Sequence, residues 1–135
     1  MTPSTASTAE LSRERGSAPV EFVLVSVLLL VLVLGIVQLA ISLHVRNTLV
    51  ASAAEGARYA ANADRDLGDG EERTREVIGD ALGADFAQDV TASYDELDGA
   101  QVVTVEVRAT LPLFGFLGPS RALVVTGHAL EEGAP

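Results

Sequence analysis

Gly16-Ser17-Ala18-Pro19-Val20-Glu21-Phe22, and the apolar run that follows it to Leu43, decide how the rest of the chain is read. From Phe22 to Leu43 no side chain is charged, and only Ser26, Gly35, Gln38 and Ser42 interrupt the aliphatic character. These 22 residues make a helix of about 33 Å at ~1.5 Å per residue, against a bilayer hydrocarbon core of about 30 Å. A buried helix of a water-soluble domain seldom stays apolar on every face for so long. The expectation is a single membrane-spanning helix, with every backbone polar group satisfied inside the segment.

Glu21 stands at the entrance of that run and is the only charge between Arg15 and Arg46. Two readings compete for it. In the first, Pro19 occupies the first helical position and Glu21 the third, where a carboxylate faces the positive end of the helix dipole. In the second, Gly16, four residues, Glu21 and a long apolar helix form a processing site of the prepilin type. That reading makes residues 1–16 a leader and Ser17 the new N-terminus.

On the N-terminal side, Met1 to Gly16 is rich in Ser, Thr and Ala without apolar periodicity, and is expected to be unstructured and cytoplasmic. A secretory signal cut near Ala51-Ser52-Ala53-Ala54 is a poorer fit. The apolar run exceeds the usual ~7–15 residues of such signals, and His44-Val45-Arg46-Asn47 separates it from that cut.

On the C-terminal side no Gly-Pro break follows the span, so the helix is expected to run on to about Asn62–Asp64. Gly35, Gln38, Ser42, Leu49, Ala53, Gly56 and Ala60 recur at steps of three, four or seven, which places them on one stripe. Small residues there allow close approach of another helix, in lipid or outside it, and an amide such as Gln38 within a span wants a partner. Asp64 to Gly70 carries the acids of a calcium loop without its spacing: the fifth and sixth positions hold Gly68 and Asp69, the reverse of what such a loop needs. A solvated acidic turn is expected instead.

Glu71 to Leu82 reads as a short amphipathic helix with Val77, Ile78, Ala81 and Leu82 on its apolar side, stopped by Gly83. Val90 to Tyr94 and Gln101 to Leu111 alternate as strands. Asp98-Gly99 is a turn signal between them, and Val103, Val105, Val107, Ala109 and Leu111 share one face. Pro112 to Pro119 is apolar but broken by Pro and Gly, hence a loop, read as a lid on the sheet or as a partner contact. Arg121 to Leu130 is a last strand, and 131–135 a tail.

The 135 residues hold nine Arg, no Lys, no Cys and a net charge of −10. Beyond Glu21, seven Arg face sixteen Asp and Glu, an acidic balance that speaks against nucleic acid as a partner. Arg13 and Arg15 before the span favour an N-in, C-out orientation, a bias that Glu10 and Glu14 dilute and Arg46 opposes. His44 and His128 show no metal-ligand spacing. No nucleophile elbow or phosphate-cradling Gly loop is present, so neither an enzyme nor a cofactor is expected.

Arg15-Gly16-Ser17-Ala18-Pro19-Val20-Glu21-Phe22-Val23-Leu24-Val25, the run through Gly35-Ile36-Val37-Gln38, and Ala53-Ala54-Glu55-Gly56-Ala57-Arg58-Tyr59-Ala60-Ala61 together resemble the TadE-like family of pseudopilins. The likeness is strong over residues 15–62 and holds only in outline beyond. It implies a minor pilin-like component of the tight-adherence (Flp) type IV pilus system, matured by a prepilin peptidase and working with other pilus assembly or secretion proteins. By position, Gly16 would be the last leader residue, Ser17 would supply the new amine, and Glu21 would be the acid after the cut. Pro19 departs from the commoner Ala. The expected fold is α+β and pilin-like: a leader (1–16), a membrane helix (17–43), a distal helix with a small domain of one short helix and about three antiparallel strands (44–130), and a tail (131–135). Subunits would associate through the N-terminal helix. The rival is a single-pass, membrane-anchored binding module that never enters a fibre.

Overall fold

The computed structural model describes the backbone of residues 10–111 and 122–131, and side chains from Ser17 onward within those bounds. The apolar loop 112–119, the tail 132–135 and the first nine residues of the expected leader lie outside the described residues. The fold is α+β. Helix α1 (Glu10–Ala60) is followed by α2 (Leu67–Leu82), a 3₁₀ turn (Ala84–Ala87) and strands β1 (Asp89–Leu97), β2 (Ala100–Thr110) and β3 (Ala122–Leu130).

The chain divides into two compact units between Leu39 and Ala40. In the first, the described structure is helix alone. From Val20 to Leu39 its large apolar side chains are exposed on all sides. α1 is long and apolar enough to cross a membrane. It begins at Glu10, so the second half of the segment expected to be unstructured is helical instead, and Pro19 lies in the helix interior rather than at its first position. The residue types from Glu10 to Arg15 are mostly good helix formers, and they extend backwards a helix already nucleated by the apolar run.

The second unit has two layers. The distal part of α1 together with α2 covers one face of an antiparallel sheet ordered β1-β2-β3. Strand alternation sets the layers. Val103, Val105, Val107 and Ala109 of central strand β2 point into the core with Val90 and Val125, and meet Leu49, Ala53 and Ala57 of α1 and Ile78 of α2. Asp98 (φ 53°) and Gly99 (φ 82°) form the β1–β2 turn, with Leu97 opposite Ala100. Two successive positive φ values are the requirement of a type I′ hairpin turn, and Asp-Gly meets it with the least strain. β1 runs to Leu97, three residues past the expected Tyr94, because this tight turn keeps the ladder intact to its end.

α2 starts at Leu67, four residues earlier than the pattern of apolar positions indicated. Asp66 is its N-cap. Its Oδ1 accepts the Asp69 N–H at 2.9 Å, and Asp69 Oδ2 accepts the Asp66 N–H at 3.1 Å. This reciprocal pair closes the first turn and shortens the acidic loop. Gly70, Thr74 and Ile78 are the buried positions of α2, while Ala81, expected on the apolar side, is exposed.

Candidate processing and packing site

The residues singled out for processing lie in the first turns of the apolar helix. Gly16 and Ser17 are helical in the intact chain, and Ser17 to Glu21 are exposed. Pro19 has no N–H to offer the carbonyl of Arg15, and its ring crowds that carbonyl, a fault that costs about 3 kcal/mol in a helix interior. Gly16 adds about 1 kcal/mol relative to Ala. Both weak points therefore flank the Gly16–Ser17 bond. A chain starting at Ser17 would have Pro19 among its first four residues, positions where a backbone N–H finds no intrahelical acceptor in any helix. The cost of Pro19 would vanish with the residues before it.

Within the apolar run, Ser26 Oγ donates to the Phe22 carbonyl at 2.7 Å, so its hydroxyl is satisfied by its own helix. Further along, Thr48 and Ser52 donate to the carbonyls of His44 and Thr48 at 3.0 and 2.8 Å.

The stripe of small residues splits in its use. Around Gly35 there is open space: a Cβ built there meets nothing within 4 Å. Gln38 and Ser42 are half-buried. Beyond Ala40 the stripe turns inward to the chain's own domain. Ala53 is fully buried, and its backbone lies against Gly127 of β3, where an added Cβ would collide with Ala54 N, Ala53 C and Ala53 O. Gly56 sits against α2: a Cβ there would run into Thr74 Oγ1 and come within 2.7 Å of the Gly70 carbonyl. A Cβ on Gly70 would in turn be 2.6 Å from the Ala60 Cβ. Thr74 Oγ1 donates to the Gly70 carbonyl at 2.8 Å in the same contact. Leu49, Ala53, Gly56 and Ala60 thus pack within the chain, and Gly70, Thr74 and Gly127 are partners that periodicity along α1 did not identify. Gly127 carried a readable signal, since a glycine inside a strand pattern marks close backbone approach.

Side chains of α2 also close the free edge of β1. Glu71 Oε1 accepts the Ala92 N–H at 2.9 Å, and Arg75 donates to the Val90 carbonyl at 2.9 Å while bonded to Glu71 at 3.0 Å. The pair takes the places of a neighbouring strand's carbonyl and N–H, a protection of an edge that helix periodicity does not disclose. On the outer side of α1 and α2, Arg73 bridges Glu76 at 2.8 Å and Glu55 at 3.7 Å, and Arg65 stacks 4.7 Å from the Tyr59 ring. The Glu76 hydrogen bond holds the Arg73 guanidinium above its ordinary pKa. Among the described residues no group of three His, Asp or Glu is placed to hold a metal ion.

Comparison with known proteins adds one finding. A family model described as TadE-like protein matches residues 16–58, under half of the chain. No curated protein and no solved structure gives a match. The matched stretch begins at Gly16 and ends two residues short of the C-terminus of α1, so it takes in Glu21, the apolar run and most of the buried distal stripe. Over residues 16–58 this chain is similar to the TadE-like family.

Proposed function

We propose that the chain is a minor pseudopilin of a tight-adherence (Flp-type) pilus or a related secretion system. A prepilin peptidase cuts it after Gly16, and the helix from Ser17 to about Leu43 holds it in the inner membrane. The N-terminus is cytoplasmic and the α+β unit extracytoplasmic. Its part is structural: it supports assembly and catalyses nothing. The observation that carries this reading is the TadE-like match that opens on Gly16 and runs through Glu21 and the apolar helix. Physical support comes from Pro19 and Gly16, which weaken the helix around the bond to be cut and cost nothing once it is gone.

After the cut, the Ser17 ammonium lies near the membrane face. Glu21 of a neighbouring subunit neutralises it and removes two charges from an apolar bundle. Gly35, with open space around it, marks the part of the stripe that neighbouring helices approach. The rival reading, a membrane-anchored binding module outside any fibre, gains from one observation: Ala53, Gly56 and Ala60 are occupied within the chain.

The test is intact-mass analysis of the protein extracted from membranes of cells that hold the peptidase. Residues 1–16 should be missing, and Gly16→Leu should retain them. Glu21→Ala should still be cut and inserted, but should lose the other assembly components in a pull-down. Breaking a buried charge pair typically costs about 3–5 kcal/mol, against roughly 0.3–1 kcal/mol for a dipole contact. An uncut wild-type chain rejects the processing step, and undiminished partner recovery by Glu21→Ala leaves Glu21 the dipole role.

A further inference from the structure

The outer face of the sheet, turned away from α1 and α2, is polar along most of its length and apolar at one end. Register assigns the residues. Asp95, Val102 and Leu130 stand side by side across the three strands, and Leu97 and Ala100 form the next pair toward the turn. Leu97 is 56% and Leu130 68% exposed, while Val102 between them is only 3% exposed. Two exposed leucines over a buried valine flank a shallow groove, lined also by Ala100 and by His128, whose Nδ1 lies 2.8 Å from Thr104 Oγ1.

The rim of this groove has one sign of charge. Asp95 adjoins Val102, and Asp98 stands at the turn beside Ala100. Glu96 and Glu131 line the neighbouring surface at the same end of the sheet. From Asp89 to Val107 and from Ala122 to Glu131 there is no Arg or Lys. Among the described residues the nearest Arg on this face, Arg108, is bonded to Glu106 at 2.7 Å. Asp95 gives one oxygen to the Glu96 N–H at 2.9 Å and keeps its other lone pairs for a partner.

Residues 112–121 of the same chain are excluded by reach, and a second copy by charge. The apolar segment between Leu111 and Ala122 is tied to the far end of the sheet, where Thr110 pairs with Ala122. Leu130 lies eight residues along β3 from that point, about 27 Å at ~3.4 Å per residue. The ten residues 112–121 reach at most roughly 19 Å out if they must also return, at ~3.5 Å per residue. A second copy would bring the same four carboxylates against these. We propose that this groove docks a basic segment of a partner protein, which inserts one aliphatic or aromatic side chain between Leu97 and Leu130 and sets Arg or Lys against Asp95 and Asp98. The site is independent of cleavage at Gly16 and of the role of Glu21.

The experiment uses the full chain in detergent micelles. The probe is a fluorescein-labelled peptide, Arg-Leu-Arg-Phe-Arg-Leu-Arg, followed by anisotropy against empty micelles. One control peptide replaces each Arg with Glu, and another replaces Leu and Phe with Ser. Wild-type protein should bind the first peptide and neither control. Leu97→Ser with Leu130→Ser should weaken binding at least tenfold. Asp95→Asn with Asp98→Asn should weaken it at least threefold, and Asn at 98 suits the positive φ of the turn. That second pair carries the test if the Leu variant loses its circular dichroism signal. Equal binding by the Asp variant, or equal binding of the Glu peptide, overturns the proposal. So does sedimentation as a dimer that Leu130→Ser converts to monomer, because the occupant is then a second copy.

Discussion

Gly127 is the residue on which the second unit turns. It lies in β3 where the backbone of α1 at Ala53 and Ala54 comes down onto the sheet, and there is no room for a methyl group between them. The atoms in the way belong to a helix backbone, which cannot swing aside as a flexible side chain would. Gly127→Ala should therefore lower stability by about 1–3 kcal/mol, the usual range for overpacking a close contact. The midpoint of urea unfolding in detergent, followed by far-ultraviolet circular dichroism, measures it. Gly35→Ala is the matching control. It meets nothing within 4 Å and removes a glycine from a helix interior, so it should leave the midpoint unchanged or raise it. A midpoint that falls equally for both would remove the backbone contact as the explanation. Gly35 and Gly127 differ in what surrounds them: open space at the first, a helix backbone at the second.

At the scale of the element, α2 is held at both ends of its contacts by charged side chains. Asp66 and Asp69 close its first turn, and Glu71 and Arg75 fasten it to the edge of β1. The cap is local, so its loss should be felt by the helix without dismantling the sheet. Asp66→Ala should cost about 1 kcal/mol, and Asp66→Ser much less, since a hydroxyl still accepts the Asp69 N–H. Amide exchange across Leu67–Arg73 should rise in the Ala variant while the Val103 and Val105 amides keep their protection. Faster exchange throughout β2 would mean that α2 and the sheet open as one unit. The exposed pairs Arg58–Glu55 and Arg108–Glu106 are each screened by solvent and contribute little to the same balance.

At the scale of the whole molecule, charge is distributed along the chain with a clear asymmetry. Arg13 and Arg15 precede the apolar helix together with Glu10 and Glu14, and beyond Glu21 sixteen acids outnumber seven Arg. If that helix spans the inner membrane with Arg13 and Arg15 in the cytoplasm, protease added from the outer side of that membrane should digest residues beyond about Leu43 and spare those before Ser17. A reporter fused at Asp98 and another at Ser12 give the same answer in living cells. Activity of the two reporters on the opposite sides would reverse the orientation. Salt, which screens surface charge within about 8 Å at physiological strength, should not change the outcome, because insertion rests on the apolar run.

Read residue by residue, the chain disclosed what depends on near neighbours. An uncharged run of 22 residues is a long helix whatever surrounds it, because in an apolar setting the backbone must bond within itself. Alternation from Gln101 to Leu111 marked the face of β2 that is buried, and Asp98-Gly99 marked its turn, because both follow from the two-residue period of a strand and the φ values of a hairpin. The TadE-like reading rested on the same contiguous stretch, residues 15–62, and the family match covers 16–58 of it. Contacts between residues distant in sequence were decided by the tertiary structure alone. Periodicity assigned Ala53, Gly56 and Ala60 to a packing face but could not say whose surface they would meet; Gly127, Gly70 and Thr74 of the same chain meet them. The apolar pattern placed the start of α2 at Glu71, because it does not register the cap by which Asp66 and Asp69 start the helix at Leu67. The groove between Leu97 and Leu130 exists only because the register of three strands brings residues 33 positions apart onto one face, and no local pattern carries that information.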